Sequence, residues 1–155
     1  MRLLTCSVIA LSIAVNLWFF RADLYPPTFD NAWYLENSCR FYHALKEGGI
    51  LDFYNTYASS FKFKAPLLSV LPLPFYFLFG PSIDTALLVN IFCLIILAIY
   101  LYKIGSRFFS PTTAFLSVAI TLTFPMIYGL SRRFLVEFPL TALVTAAAYH
   151  LLASK

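Results

Sequence analysis

The sequence predicts an all-α integral membrane protein with about four transmembrane helices and amphipathic juxtamembrane helices in a large first outer loop. Hydrophobic residues make up 61% of its 155 residues, charged residues make up 12%, and the mean hydropathy is +0.79. Soluble domains are usually about 45–50% apolar and about 25% charged. Several apolar runs are also about long enough to cross a bilayer. These observations exclude an ordinary soluble domain.

The net charge of +4 does not indicate a nucleic-acid partner. The basic residues are scattered among apolar stretches, where membrane topology and lipid headgroups explain them better than a nucleic-acid patch does. The three cysteines, Cys6, Cys39 and Cys93, form no CxxC motif and no cluster with histidine. We therefore predict neither a disulfide framework nor a zinc site.

Residues 3–20 are predicted to form the first transmembrane helix. Arg2 and Arg21 flank the run, and Trp18 near its end is a residue type that membrane interfaces favour. A cleaved signal peptide is the alternative, but the run is long and lacks a small-x-small cleavage site. The sequence favours a retained helix.

Residues 21–84 are predicted to form the outer loop. The Tyr25-Pro26-Pro27 stretch cannot continue a helix. From residue 31 to 46, apolar residues recur at helical spacing with charged residues between them, which predicts an amphipathic helix. The Gly48-Gly49 pair is expected to end that helix.

Residues 65–80 are apolar but contain Pro66, Pro72 and Pro74. Prolines remove backbone donors that the bilayer core cannot replace. We predict that this stretch enters the membrane without crossing it.

Three later segments are predicted to cross, at residues 85–102, 111–130 and 134–152. The positive-inside rule places Arg2, the loop with Lys103 and Arg107, and Lys155 on the inner side, and four crossings satisfy all three. The first loop and the turn at residues 131–133 then both lie outside.

This topology places two carboxylates, Asp30 and Glu137, on the same outer face, where an acid at a membrane boundary is costly without a partner or a function. Asp30 precedes the amphipathic helix, so it either caps that helix or acts as a general base toward an acceptor hydroxyl. Glu137 either pairs with Arg132 or Arg133 in the first turn of a helix, or completes the acceptor site. Lys62 and Lys64 lie in the loop just before the apolar, proline-rich stretch, and they either bind a lipid-linked phosphate or extend toward lipid headgroups.

Four short motifs occur along the chain in a set order: Asp30-Asn31, Lys64-Ala65-Pro66-Leu67, Leu78-Phe79-Gly80, and the stretch from Arg133 to Leu140 that contains Glu137. Their order and spacing resemble the N-terminal part of the GT-C-fold, polyprenyl-phosphate-sugar-dependent glycosyltransferases, the group related to dolichyl-phosphate-mannose–protein mannosyltransferases and lipid A aminoarabinose transferases. The resemblance covers about residues 3–152. Asn31 departs from it where many members carry a second acid, and Ala65 replaces a proline.

The resemblance implies a multi-pass enzyme that moves a sugar from a polyprenyl-phosphate carrier to a lipid, protein or glycan acceptor on the outer face of the membrane. A bacterial inner or cell membrane is expected, or the endoplasmic reticulum in a eukaryote. Asp30 would be the carboxylate that contacts the acceptor and Glu137 would support it. Lys64, with Lys62, Arg132 and Arg133, would neutralise the donor phosphate. A divalent ion, if it takes part, would act as a charge clamp, and its ligands are unknown.

Complete members of that group contain more helices, so residues 1–155 are expected to form a single membrane domain that is the N-terminal part of a larger transferase. The rival interpretation is a small non-catalytic membrane protein that assists assembly or binds lipid, with its acids serving as helix caps. A transporter segment is a weaker alternative, because no acid lies in the middle of a predicted span.

Overall fold

The computed structural model describes residues 1–23, 26–60 and 66–154. The described residues form helices and turns with no strand, which confirms the all-α prediction. They divide into two compact units: the first unit comprises Met1–Asp23 and Asn90–Lys155, and the second unit comprises Leu24–Val89.

The first unit contains the longest helices of the described chain. α1 (Arg2–Ala22) and α6 (Ile83–Phe108, which enters this unit at Asn90) are the two described helices that are long and apolar enough to cross a membrane by length and composition. They contain the segments predicted at residues 3–20 and 85–102. The number of crossings, predicted as four, stays a prediction.

The segment at residues 111–130, which was predicted to cross the membrane, is not one continuous helix. It folds as α7 (Pro111–Thr123) and α8 (Pro125–Leu130), separated at Phe124, whose ψ of 127° is extended. The ring of Pro125 disfavours the helical conformation of the residue before it, and Pro125 has no N–H to bond a carbonyl one turn back. One proline therefore converts a predicted span into two shorter helices.

The last helix of the first unit, α9 (Glu137–Ala153), begins three residues later than the predicted start at 134. Pro139 accounts for the difference, because proline is tolerated in the first turn of a helix, where the backbone N–H has no helical acceptor. With the start at Glu137, Pro139 lies in that first turn. Residues 131–136 instead form a turn, in which the Leu135 N–H donates to the Arg133 carbonyl at 2.9 Å.

The second unit begins with α2 (Phe29–His43), which continues into a π-helical segment (Ala44–Gly48) and is followed directly by α3 (Gly49–Ser60). Gly49 has a φ of 75°, which glycine adopts without the steric cost of a Cβ. The predicted end of the helix at the glycine pair is confirmed. α3 was not located in the sequence.

The proline-rich stretch folds as two short helices, α4 (Leu67–Val70) and α5 (Leu73–Phe79). A full crossing needs about 20 residues, so neither helix is long enough to span a bilayer. α4 is tied to α2, because the buried Ser69 hydroxyl donates to the Tyr34 carbonyl at 2.9 Å. Whether this stretch enters the membrane stays a prediction.

Aromatic ring contacts join the helices of the second unit. Phe41 is fully buried and its ring lies 5.8 Å from that of Phe53 and 5.9 Å from that of Tyr57, which joins α2 to α3. The Tyr42 ring lies 5.8 Å from that of Tyr76, which joins α2 to α5. Edge and tilted ring contacts of this kind contribute about 0.5–1.5 kcal/mol each beyond the area that they bury.

Candidate functional site

Asp30 lies in the first turn of α2, two residues further into the helix than the capping residue. The N-cap is Thr28, whose carbonyl accepts a hydrogen bond from the Asn31 N–H at 3.1 Å. The alternative that Asp30 is the N-cap was therefore wrong. Asp30 is exposed.

Phe29, the residue before Asp30, has an unusual backbone. Its φ of 41° falls in the left-handed region, which a bulky side chain rarely adopts, and its side chain is 94% exposed. Strained backbone of this kind is concentrated at functional sites, because the surrounding structure must compensate for it. The strain therefore singles out the entry to α2 as a candidate site.

Lys62 and Lys64, the predicted phosphate-binding lysines, lie outside the described residues. The described chain resumes at Pro66, which is fully buried, and continues into α4. Their predicted roles stay predictions.

The turn that precedes Glu137 is held by a cluster of three buried polar side chains, Asn16, Asn90 and Ser131, which we call the polar node. The Asn90 Nδ2 donates to the Ser131 carbonyl at 3.1 Å and to the Arg133 carbonyl at 2.8 Å. The Ser131 hydroxyl donates to Asn16 Oδ1 at 2.9 Å. Each of the three is at most 2% exposed. The node joins α1 and α6 to the turn from which α9 begins.

Sequence reasoning missed the polar node, although a signal for it was present. Asn16 and Asn90 each lie inside an apolar run, where an amide needs an internal hydrogen-bond partner. Asparagine often provides such bonds between helices in membranes.

Arg132 is held between two aromatic rings, which we call the aromatic cage. Its guanidinium carbon lies 4.1 Å from the centroid of the Phe19 ring and 3.5 Å from that of Tyr128. Its Nε and Nη2 atoms are buried and have no hydrogen-bond partner among the described residues. Cation–π contact of this kind contributes about 0.5–2 kcal/mol and fixes the plane of the guanidinium. Arg132 is therefore a pre-positioned cation.

The predicted pairing of Glu137 with an arginine of the turn is not found. Within the described chain, neither Arg132 nor Arg133 forms an ion pair with Glu137, which is exposed at the first position of α9. The expected contact required Arg133 and Glu137 to lie four residues apart on one helix. Because α9 begins only at Glu137, Arg133 lies before the helix and that geometry does not arise. Glu137 retains its predicted place in the first turn.

The two carboxylates belong to different units of the fold. Asp30 is part of the second unit and Glu137 is part of the first. Their convergence in one pocket stays a prediction. Among the described residues, no three His, Cys, Asp or Glu side chains are grouped closely enough to hold a metal ion, and the divalent ion stays a hypothesis.

The class of this protein follows from its similarity to a family of GT-C-like mannosyltransferases. Residues 64–154 match the sequence model of a family described as dolichyl-phosphate-mannose-protein mannosyltransferase. Because the match covers more than half of the chain, the protein belongs to this family. No curated protein and no solved structure matches the chain. The matched region begins at Lys64 and includes Arg132, Arg133 and Glu137.

Proposed function

We propose that this protein is a membrane glycosyltransferase that transfers a sugar from a polyprenyl-phosphate carrier to an acceptor on the outer face of the membrane. The observation that carries the proposal is the family match over residues 64–154. The family description specifies a dolichyl-phosphate-linked mannose, which makes a lipid-linked sugar the expected donor. The sugar and the acceptor of this chain are part of the proposal.

The arrangement of the first unit supports the proposed topology. Arg2 and Lys103 line one cavity, at the start of α1 and near the end of α6. The polar node joins Asn16 of α1 and Asn90 of α6 to the turn before Glu137. Asn90 is about 13 residues before Lys103, which corresponds to about 20 Å along a helix. The cations therefore lie at one end of the unit and the turn before Glu137 at the other, as inside and outside positions require.

Under this proposal, a hydroxyl oxygen of the acceptor attacks the anomeric carbon of the sugar. The bond from that carbon to the phosphate oxygen breaks, and the polyprenyl phosphate departs with the electron pair. Asp30 accepts the proton of the hydroxyl or orients that hydroxyl. Glu137 completes the acceptor site.

Cations near the phosphate would lower the barrier, because negative charge grows on the departing phosphate. Arg132 is suited to this task, because the aromatic cage holds its guanidinium in place before substrate arrives and little reorganisation is needed. Arg133 is exposed, and Lys62 and Lys64 complete the proposed set of cations.

The proposal is tested by measuring transfer of labelled mannose from dolichyl-phosphate mannose into acceptors in membranes of cells that express the protein. Asp30→Asn, Glu137→Gln and Arg132→Gln are each expected to lower transfer by about 10²-fold or more, as loss of a transition-state contact does elsewhere. Glu36→Gln is the matched control, because Glu36 is an exposed carboxylate of α2 that pairs with Arg40 at 2.6 Å. Unchanged transfer in the Asp30 and Glu137 variants, at normal expression, would remove those two acids from the mechanism.

A further inference from the structure

A groove lies between α1 and α6, at the end of the first unit opposite the polar node. Its volume is about 250 Å³, which is below the roughly 300–1,000 Å³ of pockets that enclose a whole drug-sized ligand. The side chains that define its walls and mouth include Arg2, Cys6, Ile9, Ala98, Ile99 and Lys103. We call it the basal groove. Its size suits a segment of one flexible chain better than a whole ligand.

The walls of the basal groove are apolar. Ile9 and Cys6 contribute one side from α1, and Ala98 and Ile99 contribute the other from α6. Ala98 is fully buried, while Ile99 is 42% exposed, so the groove opens toward the surroundings along α6. An alkyl chain would remove this surface from contact with polar groups without leaving any donor or acceptor unpaired.

Two cations line the same groove, Arg2 from the first turn of α1 and Lys103 from the last two turns of α6. Among the described residues neither has a carboxylate partner. The acidic side chains of the first unit are Asp23, which follows α1, and Glu137, which begins α9. Asp23 is at the opposite end of α1 from Arg2. Glu137 is at the opposite end of α9 from His150, which contacts Tyr100 near Lys103. The positive charge at this end is therefore not neutralised by an acidic side chain.

Lys103 is held in position by aromatic rings. Its ammonium lies 5.0 Å from the centroid of the Tyr100 ring and 5.5 Å from that of Tyr149. The Tyr100 hydroxyl is in turn 3.0 Å from the His150 Nε2, which joins α6 to α9 at this end. The cation is thus fixed beside the groove by two helices.

We propose that the basal groove binds one acyl chain of an anionic phospholipid, with its phosphate held between Arg2 and Lys103. Apolar walls beside two unneutralised cations match an amphiphile that carries a chain and a negative head. A free inorganic anion would use the cations and leave the walls uncovered. A zwitterionic lipid would use the walls and gain little from the two positive charges.

The proposal does not depend on the proposed transferase activity. The groove lies about 20 Å along the helices from the polar node, and it contains none of the residues assigned to sugar transfer. A lipid bound there would tie the start of α1 to the end of α6 and so stabilise the first unit.

Lipid binding is measured on the detergent-purified full chain by native mass spectrometry, with phosphatidylglycerol and phosphatidylcholine of identical acyl chains. The wild-type protein is expected to retain phosphatidylglycerol preferentially. The double variant Arg2→Gln/Lys103→Gln is expected to bind it about 25-fold more weakly, because each surface cation contributes about a factor of five to anionic lipid binding. Arg107→Gln is the matched control: Arg107 is a cation at the same end of α6 that lies outside the groove and donates to the Ala153 carbonyl at 3.2 Å.

The walls are tested separately from the charges. Cys6→Phe and Ile99→Trp fill the groove from opposite sides without changing its charge, and each is expected to reduce phosphatidylglycerol retention. A thermal melt of each variant shows that the fold is intact, and either variant suffices if the other does not fold. Equal retention of the two lipids, unchanged retention in the double variant, or unchanged retention in the folded filled variants would each overturn the proposal.

Discussion

The contacts that hold the candidate carboxylates differ between the two units of this protein. In the first unit, Asn90 donates to two backbone carbonyls and Ser131 donates to Asn16, so the polar node fixes the turn before Glu137. In the second unit, ring contacts join α2, which carries Asp30, to α3 and α5, and the Ser69 hydroxyl adds one buried hydrogen bond from α4 to α2.

This difference predicts what holds each candidate carboxylate. Glu137 begins α9 directly after a turn that hydrogen bonds fix, so its position depends on named donors and acceptors. Asp30 lies on α2, which ring contacts join to α3 and α5, so the position of Asp30 depends on how closely those rings pack. Hydrogen bonds to buried groups are lost abruptly when a partner is removed, whereas packed rings lose energy in proportion to the volume removed.

The largest effect on stability is expected from Phe41→Ala in the second unit. Phe41 is fully buried against Phe53 and Tyr57, so its truncation should lower the free energy of unfolding by about 3–5 kcal/mol. Phe29→Ala is the control on the same helix, because Phe29 is 94% exposed. Thermal unfolding in one detergent measures both. Equal losses in the two variants would show that ring packing does not hold α2.

Asn90→Ala is expected to lower the free energy of unfolding by about 2–4 kcal/mol, because it leaves two backbone carbonyls, those of Ser131 and Arg133, without their donor. Asn55→Ala, at an exposed position of α3, is the control and should change stability by less than about 0.5 kcal/mol. Transfer activity of the same variants, measured below their unfolding temperatures, shows whether loss of these hydrogen bonds displaces Glu137 in a protein that is still folded. A stable Asn90→Ala protein would contradict the structural role of the polar node.

Gly105→Ala tests the close approach of α6 and α7 within the first unit. A Cβ at residue 105 would lie 2.6 Å from the Ala114 Cα, so the helices must separate, at an expected loss of about 1–3 kcal/mol. Gly129→Ala is the matched control in α8, where a Cβ would meet no atom within 4 Å. That variant should be neutral or more stable, because alanine favours a helix over glycine by up to about 1 kcal/mol. The prediction fails if both glycine variants melt alike.

The smallest effect at neutral pH is expected from Tyr76→Phe, because among the described residues no group forms a hydrogen bond of good geometry with the buried Tyr76 hydroxyl. Burial raises the pKa of Tyr76 to about 12 from 10.0. The folded protein therefore holds this proton at a pH where the unfolded chain has released it. The resulting stability is full below about pH 10 and is lost as the pH rises through about 12.

Relative to wild type, Tyr76→Phe should thus become more stable by about 1 kcal/mol between pH 9 and pH 11. Unfolding curves of both proteins, taken in the same buffers, give this difference directly. A difference that does not vary with pH would mean that Tyr76 ionises as freely in the folded protein as in the unfolded chain.

Local patterns predicted the parts of the fold that depend on neighbouring residues. Composition indicated helices throughout, apolar runs located α1 and α6, and the glycine pair located the end of the helix that starts at Phe29. The break at Phe124 and the later start of α9 are also local effects of proline, at Pro125 and Pro139.

The parts that depend on distant residues could not be predicted. Ser131 and Asn16 meet across 115 positions of sequence, and no periodicity specifies that pair. The aromatic cage of Arg132 likewise depends on Phe19, which lies on another helix. Arg132 was predicted to bind phosphate because of its charge. The structure adds that the rings of Phe19 and Tyr128 fix the position of its guanidinium.

The central claim is that Asp30 and Glu137 face the same side of the membrane. It is tested most directly by single cysteines in a background in which Cys6, Cys39 and Cys93 are replaced by alanine. Asp30→Cys, Glu137→Cys and Ser106→Cys are labelled in intact cells with a membrane-impermeant maleimide. All three positions are exposed, and Ser106 avoids the close packing at Gly105. The account predicts that positions 30 and 137 react in intact cells and that position 106 reacts only after permeabilisation. Reaction of position 30 and position 137 from opposite sides would contradict it.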